Sequence, residues 1–220
     1  MRTRITLVAC FLWIVMVPGV SFGALVNGGF EDGFTGWTTG GNAAVVTEAM
    51  IDGVSFNPFE GEKMAALSYP AMTGFIFDNY IYQDVVLEEG DNFLNFSLLF
   101  WTFDESPFDS PGLLVQINSE SWFSIDAGDI GDGTLGTLDY TDWISLSIPV
   151  GQYYDPLRPV QIRISFLAGN TGDNEYPSGA FIDGLSLTEH NLYPIVPIPG
   201  ALLLFSSGLI GLLALRRKRR

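Results

Sequence analysis

The residues of this chain that could do chemistry are mostly carboxylates, since 25 Asp and Glu accompany one histidine and one cysteine. His190 follows the last predicted strand at the edge of a proline-containing stretch, so it is interpreted as a solvated linker residue. The sequence contains no Gly-x-Ser-x-Gly elbow, His-Glu-x-x-His pair or phosphate-cradling glycine loop. Among so many carboxylates, some pair will lie by chance at the separation that glycosidases use. The sequence therefore predicts a non-catalytic protein, with a glycoside hydrolase as the remote alternative.

One acidic cluster lies in the stretch Asp126-Ala-Gly-Asp-Ile-Gly-Asp-Gly133. Its aspartates are three residues apart rather than two, and no glutamate follows at the twelfth position, so it is not a helix-loop-helix calcium loop. Glycine and aspartate at this density are typical of a long hairpin connection. We expect a connection here, with ion binding as the minor alternative.

The beginning of the chain is predicted to be a signal peptide over residues 1–23. It has a basic start, an apolar run over 5–17 and small residues before a signal-peptidase cleavage expected after Gly23. The alternative is a lipoprotein signal at Leu7-Val-Ala-Cys10, which would leave an apolar run of only five residues. If Cys10 leaves with the signal, the remaining chain has no cysteine and must be stable without disulfides.

The other end of the chain carries an uncharged apolar stretch followed by a basic cluster. Residues 200–215, entered through Pro199, are predicted to form a transmembrane helix. A helix of this length, at ~1.5 Å per residue, nearly spans a hydrocarbon core of ~30 Å. The basic residues 216–220 are predicted to stay in the cytoplasm. Residues 191–199, with three prolines, are predicted to form an extended spacer and sorting motif.

The tail as a whole resembles a known sorting signal. Val196-Pro197-Ile198-Pro199, the apolar stretch and the arginine cluster are similar to the PEP-CTERM signal of Gram-negative surface proteins, which exosortase enzymes recognise. With Ile198 in place of the usual glutamate, the motif resembles the VPLP-type variant. The resemblance implies a recognition role for Pro197 and Pro199. It also implies transient anchoring in the inner membrane and delivery to the cell surface or extracellular matrix.

Between the two ends the chain is strongly acidic. All 25 carboxylates lie between Glu31 and Glu189, against only Lys63, Arg158 and Arg163, so residues 24–190 carry a net charge of −22. Such a surface repels nucleic acid, whose binding depends on phosphate neutralisation by Lys and Arg. It favours solubility and divalent cations. The 17 phenylalanines of the chain exclude a disordered acidic tail and indicate a packed core.

Residues 24–190 are predicted to form an all-β domain, a single antiparallel β-sandwich of the jelly-roll kind. Runs rich in β-branched and aromatic residues recur between Gly, Pro, Asn and Asp. The predicted strands are 43–47, 63–68, 80–87, 92–103, 113–118, 121–125, 142–148, 160–167 and 179–188. Strict alternation in 160–167 places Arg163 on an outer face. The continuously apolar stretch 92–101 predicts a strand buried on both faces.

Two motifs at the ends of this domain carry a second resemblance. Leu25-Val-Asn-Gly-Gly-Phe-Glu-Asp-Gly-Phe-Thr-Gly-Trp37 is similar to the opening of galactose-binding-like jelly rolls, which include carbohydrate-binding modules of families four and twenty-two. Gly179-Ala-Phe-Ile-Asp-Gly-Leu-Ser-Leu187 resembles their closing strand. The resemblance implies a structural calcium ion where these strands meet. Its implied ligands are Glu31, Glu60, the backbone carbonyl of Lys63 and Asp183.

The chemistry of this implied site suits calcium, which prefers six to eight hard oxygen ligands at about 2.4 Å. Two alternatives stay open. Glu62 could replace Glu60 as a ligand, and Glu31 and Asp183 could serve only to cap turns.

Sugar sites in such sandwiches use exposed aromatic faces together with polar side chains that contact hydroxyl groups. The candidates here are Trp101, Trp122, Tyr153, Tyr154, Gln116, Arg158 and Arg163, while Trp37 and Trp143 are assigned to the core. The leading hypothesis is an exported surface or matrix protein with a structural or adhesive role in the envelope or biofilm. The alternative is a lectin-like module for exopolysaccharide.

Overall fold

The structure, a computed structural model, describes residues 24–172 and 175–193. Its strands are β1 (Thr38–Gly40), β2 (Ala43–Val46), β3 (Ala49–Ile51), β4 (Val54–Phe56), β5 (Met64–Leu67), β6 (Tyr80–Val86), β7 (Phe93–Thr102), β8 (Leu113–Ile117), β9 (Glu120–Ile125), β10 (Asp139–Tyr140), β11 (Ile144–Pro149), β12 (Gln161–Ala168) and β13 (Ser178–Thr188). A one-turn helix, α1 (Ala127–Ile130), and a 3₁₀ turn, Gly151–Tyr153, complete the regular elements of this part.

Several predictions fall on other parts of the chain. The signal peptide over 1–23 with Cys10, most of the spacer, the sorting prolines Pro197 and Pro199, the helix over 200–215 and the basic cluster 216–220 lie outside the described residues. Within 24–172 and 175–193, no helix combines the length and the apolar character that crossing a membrane requires.

Two antiparallel sheets form the domain. The front sheet has the strand order β1-β6-β12-β8-β9, and the back sheet has the order β10-β7-β13-β5-β2, with β11 also paired to β7. A separate hairpin, β3–β4, completes the architecture. Each of the nine predicted strands is present, and the all-β antiparallel prediction is confirmed. The prediction missed β1, β3, β4 and β10, which have only two or three residues each.

The main core lies between the two sheets. In β12 the alternating residues Ile162, Ile164 and Phe166 are fully buried. The Phe166 ring meets Phe96 of the back sheet edge-on at 5.2 Å between centroids. Each such side chain stabilises the fold by roughly 1.5–3 kcal/mol relative to an exposed position.

The back sheet is buried on its outer face as well. In β7, Leu98 and Phe100 face the main core, whereas Leu99 and Trp101 belong to a second cluster with residues of the β3–β4 hairpin. This confirms the prediction that the stretch 92–101 is buried on both faces.

Trp101 is fully buried in this second cluster. Its indole ring lies against Gly179 of β13, where an added Cβ would collide with it. The expectation that Trp101 offers an exposed face to a sugar is therefore wrong, because the β3–β4 hairpin covers it. Trp37 lies in the main core as predicted, and Trp143 is partly buried against the second cluster.

The opening and closing motifs of the domain meet in space. The Leu185 amide of β13 donates to the Gly28 carbonyl oxygen at 3.1 Å. The opening motif is held down by Trp37, whose Nε1 donates to the Asn27 carbonyl at 3.2 Å. This juxtaposition brings the four predicted calcium residues to one end of the back sheet.

Candidate functional site

The outer face of the front sheet carries an exposed arrangement of aromatic and polar side chains. Alternation in β6 buries Ile81 and Val85 in the main core and directs Tyr80, Tyr82 and Asp84 outward. Strand register places the outward side chains of neighbouring strands in rows. One row runs across all five strands through Thr38, Tyr82, Ser165, Gln116 and Ser121.

A stacked aromatic pair occupies this face. The rings of Tyr80 and Tyr82 lie 5.9 Å apart with an interplanar angle of 25°. The Arg163 guanidinium of β12 lies over the Tyr82 ring, with Cζ 3.9 Å from the ring centroid. A cation at this position is attracted by the quadrupole of the ring. Tyr82 and Arg163 therefore form one stacked unit.

Arg163 is fixed further by Asp84. Its Nε donates to Asp84 Oδ1 at 2.7 Å and its Nη2 donates to Asp84 Oδ2 at 2.8 Å, a bidentate pair. The hydrogen bond to Arg163 lowers the pKa of Asp84, and the attraction of the guanidinium adds to it. The same hydrogen bond raises the pKa of Arg163. The Arg163 side chain still exposes 46% of its surface, so its remaining donors can reach a ligand.

One end of the face is apolar. Tyr80 packs beside the buried side chains of Ile76, Leu114 and Leu167. Its ring also lies over Gly40 of the neighbouring strand, where an added Cβ would collide with it. The absence of a side chain at Gly40 therefore sets the orientation of the Tyr80 ring.

The predicted sugar-contacting residues divide into two groups. Gln116 and Arg163 lie together on the front-sheet face, as the alternation predicted for Arg163. Trp122, Tyr153 and Tyr154 are instead partly buried against the main core.

The aromatic candidates outside the face have local reasons for their burial. A register shift between Val115 and Gln116 changes the alternation of β9 near Trp122, whose Nε1 is buried. The Tyr153 hydroxyl donates to Glu120 Oε2 at 3.0 Å. Arg158 is exposed on the loop that precedes β12.

Sequence reasoning missed Tyr80 and Tyr82. A usable signal was present, because Tyr80-Ile-Tyr-Gln-Asp-Val-Val alternates aromatic or acidic residues with residues that are buried. Gln83 obscures this pattern, since it is polar but 5% exposed. Its side chain accepts a hydrogen bond from the Val26 amide and donates one to the Val26 carbonyl.

The predicted calcium residues do converge around Gly29. An added Cβ on Gly29 would lie 3.8 Å from Glu60 Oε1, 3.9 Å from Asp183 Oδ1 and 4.0 Å from the Glu31 side chain. Asp183 is fully buried, and its carboxylate accepts from the Glu60 amide at 3.0 Å and the Gly184 amide at 2.7 Å. Burial raises the pKa of Asp183 to about 6, and the charge of Glu60 adds to the shift.

Glu31 also caps backbone amides, as the alternative interpretation proposed. Its Oε1 accepts from the amides of Glu62 and Lys63 at 2.7 and 3.0 Å, and Lys63 Nζ donates to the Glu31 carbonyl. In the described part of the chain, no three His, Cys, Asp or Glu side chains are grouped closely enough to hold a metal ion. The carboxylates nevertheless have the hard oxygen donors that calcium prefers.

The acidic stretch from Asp126 to Gly133 forms a connection containing α1. The Asp126 amide donates to Asp129 Oδ2 at 3.0 Å, and Asp126 Oδ2 accepts from Ser110 Oγ at 2.8 Å. The two carboxylates thus accept hydrogen bonds that stabilise the loop itself, which agrees with the predicted role as a connection.

Comparison with known proteins gives only distant likenesses in structure. No family model matches the chain, and no curated protein matches it. One similar structure is a carbohydrate-binding module of family 61 in complex with β-1,4-galactotriose, at 19% identity and a TM-score of 0.37 over 76% of this chain and 99% of that one. A second is a family 28 module specific for non-crystalline cellulose, at 13% identity and a TM-score of 0.37 over 76% of this chain and 96% of that one. A third is the enzymatically active domain of tailspike protein 4 of bacteriophage CBA120, at 15% identity and a TM-score of 0.33 over 76% of this chain and 21% of that one. These likenesses concern the fold.

Proposed function

We propose that the outer face of the front sheet binds polysaccharide and that the protein is a non-catalytic, lectin-like surface protein. The observation that carries this proposal is the stacked Tyr80–Tyr82 pair with Arg163 held over Tyr82. Sugar rings have apolar C–H faces that pack on aromatic side chains and hydroxyls that need hydrogen-bonding partners. The face supplies tyrosine rings for the first requirement, and Gln116 and Arg163 for the second.

The ligand we propose is an uncharged, extended glycan. The row from Thr38 to Ser121 crosses five strands, or roughly 19 Å at ~4.8 Å between strands, which accommodates several sugar units. The net charge of −22 over residues 24–190 would repel an acidic polysaccharide. Arg163 does little to reduce this repulsion, because Asp84 neutralises its charge.

The same geometry supports a binding role over hydrolysis. A general acid for glycoside cleavage needs a raised pKa and a second carboxylate nearby. The carboxylate at the centre of this face, Asp84, has a pKa that Arg163 lowers. It stays ionised and cannot donate a proton at neutral pH.

The test is glycan binding by variants of the purified protein. Tyr82→Ala should weaken binding to a neutral polysaccharide at least tenfold, about 1.4 kcal/mol, because it removes aromatic surface beside Tyr80 and the support of Arg163. Leu157→Ala, which trims an exposed loop side chain, is the matched control and should bind as the wild type does. Equal binding by the Tyr82 variant, or no binding to any glycan on an array, would refute the proposal.

We also propose that the chain is exported and sorted by its tail, with signal peptidase and an exosortase-type enzyme as processing partners. The final location would be the cell surface or the extracellular matrix, with an adhesive or structural role in the envelope or biofilm. The support is the composition of residues 1–23 and 196–220. Deleting residues 196–220 should prevent the protein from reaching the cell surface or extracellular matrix in the native host. Normal delivery of the shortened protein, scored by cell fractionation, would contradict the sorting role.

The third part of the proposal is a structural calcium ion with Glu31, Glu60, the Lys63 carbonyl and Asp183 as ligands, for which the three carboxylates would have to move closer together than they lie in the structure. Its support is the convergence of these carboxylates around Gly29, with the Asp183 carboxylate fully buried beside Glu60. A bound cation would offset their repulsion and join the opening and closing motifs. Calcium should raise the melting temperature of the wild type and leave that of Asp183→Asn unchanged. A chelator without effect on the wild type would count against the ion.

A further inference from the structure

A groove of about 360 Å³ opens on the outer side of the back sheet, opposite the proposed glycan face. We call it the back groove. One wall comes from β4 and the two residues after it, and the other comes from Tyr140 of β10 and the three residues that precede β11. The lining includes Phe56, Asn57, Pro58, Tyr140, Asp142 and Trp143. Tyr140 is 45% exposed, so its ring is available to a ligand.

The aromatic walls of the back groove are held in place by their neighbours. The Phe56 and Tyr140 rings meet edge-on at 5.2 Å, and the Phe59 and Trp143 rings lie 5.8 Å apart. Trp143 Nε1 donates to the Asn57 carbonyl at 3.2 Å. The indole is thereby tied to the hairpin, and the groove is a preformed aromatic cleft.

The described chain ends on this same side of the sandwich. After β13, the Leu192 amide donates to Asn95 Oδ1 at 3.1 Å and the Tyr193 amide donates to Ser147 Oγ at 3.2 Å. Ser147 alternates with Leu146 and Ile148, which face the main core, so its side chain lies on the outer face of the back sheet. The described part of the chain therefore ends on this face.

The next residues can reach the back groove. Ser147 and Trp143 are four positions apart along the edge of the back sheet, roughly 13 Å at ~3.3 Å per residue. Residues 194–199 extended as polyproline II would span roughly 19 Å at ~3.1 Å per residue. Pro197 and Pro199 fall within that reach.

The chemistry of this segment matches the cleft. Pro194-Ile-Val-Pro197 has the spacing of a PxxP ligand, and such segments bind grooves lined by aromatic side chains because polyproline II is already ordered. The segment is uncharged, so the acidic domain does not repel it. A second copy of the domain would bring 22 further net negative charges, which disfavours it as the occupant.

We propose that the back groove binds the chain's own residues 194–199 and holds Pro197 and Pro199 against the sandwich. The prolines of the predicted sorting motif would then be accessible only after the segment leaves the groove. This inference goes beyond glycan binding, because it concerns the opposite sheet and does not depend on the glycan face.

Disulfide trapping in the full chain tests the proposal. In a Cys10→Ser background, Ile198→Cys is paired with Asn57→Cys in the groove or with Gln161→Cys on the front sheet, both exposed positions. Diamide is added to dilute protein, and intramolecular bonds are quantified by mass spectrometry of peptides. The Asn57 pair should form at least ten times faster than the Gln161 pair. Adding Tyr140→Ala should remove that advantage.

Equal rates for the two pairs would overturn the proposal. So would a product that forms between molecules and increases with protein concentration, since that would assign the groove to a second copy. Ser55→Cys serves as a second groove position if Asn57→Cys does not fold, and its pairing with Ile198→Cys is held to the same tenfold criterion.

Discussion

Replacing Asp183 by asparagine should remove one defined pH dependence from the stability of the protein. The Asp183 side chain is fully buried, which raises its pKa from 3.8 to about 6. The folded protein therefore binds this proton more tightly than the unfolded chain does. Its contribution to stability is complete below pH 3.8 and is lost as the pH rises through 6.

The size of the effect follows from the shift in pKa. About two units correspond to ~3 kcal/mol in the free energy of unfolding, at ~1.4 kcal/mol per unit. For a protein of this size that is roughly 6–12 °C in melting temperature. Asparagine cannot titrate, so the free energy of unfolding of the variant should lack this decrease between pH 4 and 6. It also loses one of the two amide hydrogen bonds to the carboxylate, a constant cost of about 1 kcal/mol.

The assay is the melting temperature of the purified protein with a chelator, measured in half-unit steps from pH 4 to 7. Asp52→Asn is the matched control, because Asp52 is an exposed turn aspartate and should keep the wild-type slope. Acidification also reduces the net negative charge of the whole protein, and this changes the stability of all three proteins alike. The difference between their slopes therefore isolates Asp183. The lowered pKa of Asp84 acts below this pH range.

An Asp183→Asn variant with the wild-type slope would refute the reasoning about burial. Excess calcium provides a separate comparison. A bound ion would hold the carboxylate ionised and flatten the wild-type slope. A slope that persists in calcium would leave the burial argument intact and remove support for the ion.

Three further changes have definite expected outcomes. Gly40→Ala should displace the Tyr80 ring, weaken glycan binding several-fold and cost about 1–3 kcal/mol of stability by overpacking, measured by titration and denaturation. Trp101→Ala should lower the free energy of unfolding by about 3–5 kcal/mol, and a loss below about 1 kcal/mol would contradict its burial. Asp84→Asn should change stability by less than about 1 kcal/mol, because the pair with Arg163 is largely exposed. It should still weaken glycan binding, because Arg163 loses its orientation, and an unchanged affinity would exclude that role.

The strands could be predicted because burial leaves a local pattern. The alternation in β12 and the unbroken apolar run in β7 each reflect which faces are covered. The β3–β4 hairpin leaves a weaker pattern, since each strand has three residues. Its position over the back sheet depends on contacts between distant segments. For that reason the sequence could not show that Trp101 is covered.

The candidate site was predicted in part for the same reason. Arg163 was placed outward correctly from its own strand. Which aromatic ring lies beside it depends on the register between β6 and β12, which pairs Arg163 with Asp84 and Ser165 with Tyr82. Trp122 was placed wrongly, because a register shift in the β8–β9 pair changes the direction of its side chain. Register is a property of two strands, so neither result could be read from one of them.

The β3–β4 hairpin also explains why the two sides of the sandwich differ in their proposed partners. On the back sheet it buries Phe181 and Trp101 and leaves only a narrow aromatic cleft at its edge, suited to a thin chain segment. The described residues include no comparable cover over the central row of the front sheet, which crosses five strands and in which Tyr82 and Arg163 keep some exposed surface. An extended glycan needs that width, whereas a proline segment does not. The placement of one short hairpin therefore supports glycan binding on the front sheet and tail binding on the back sheet.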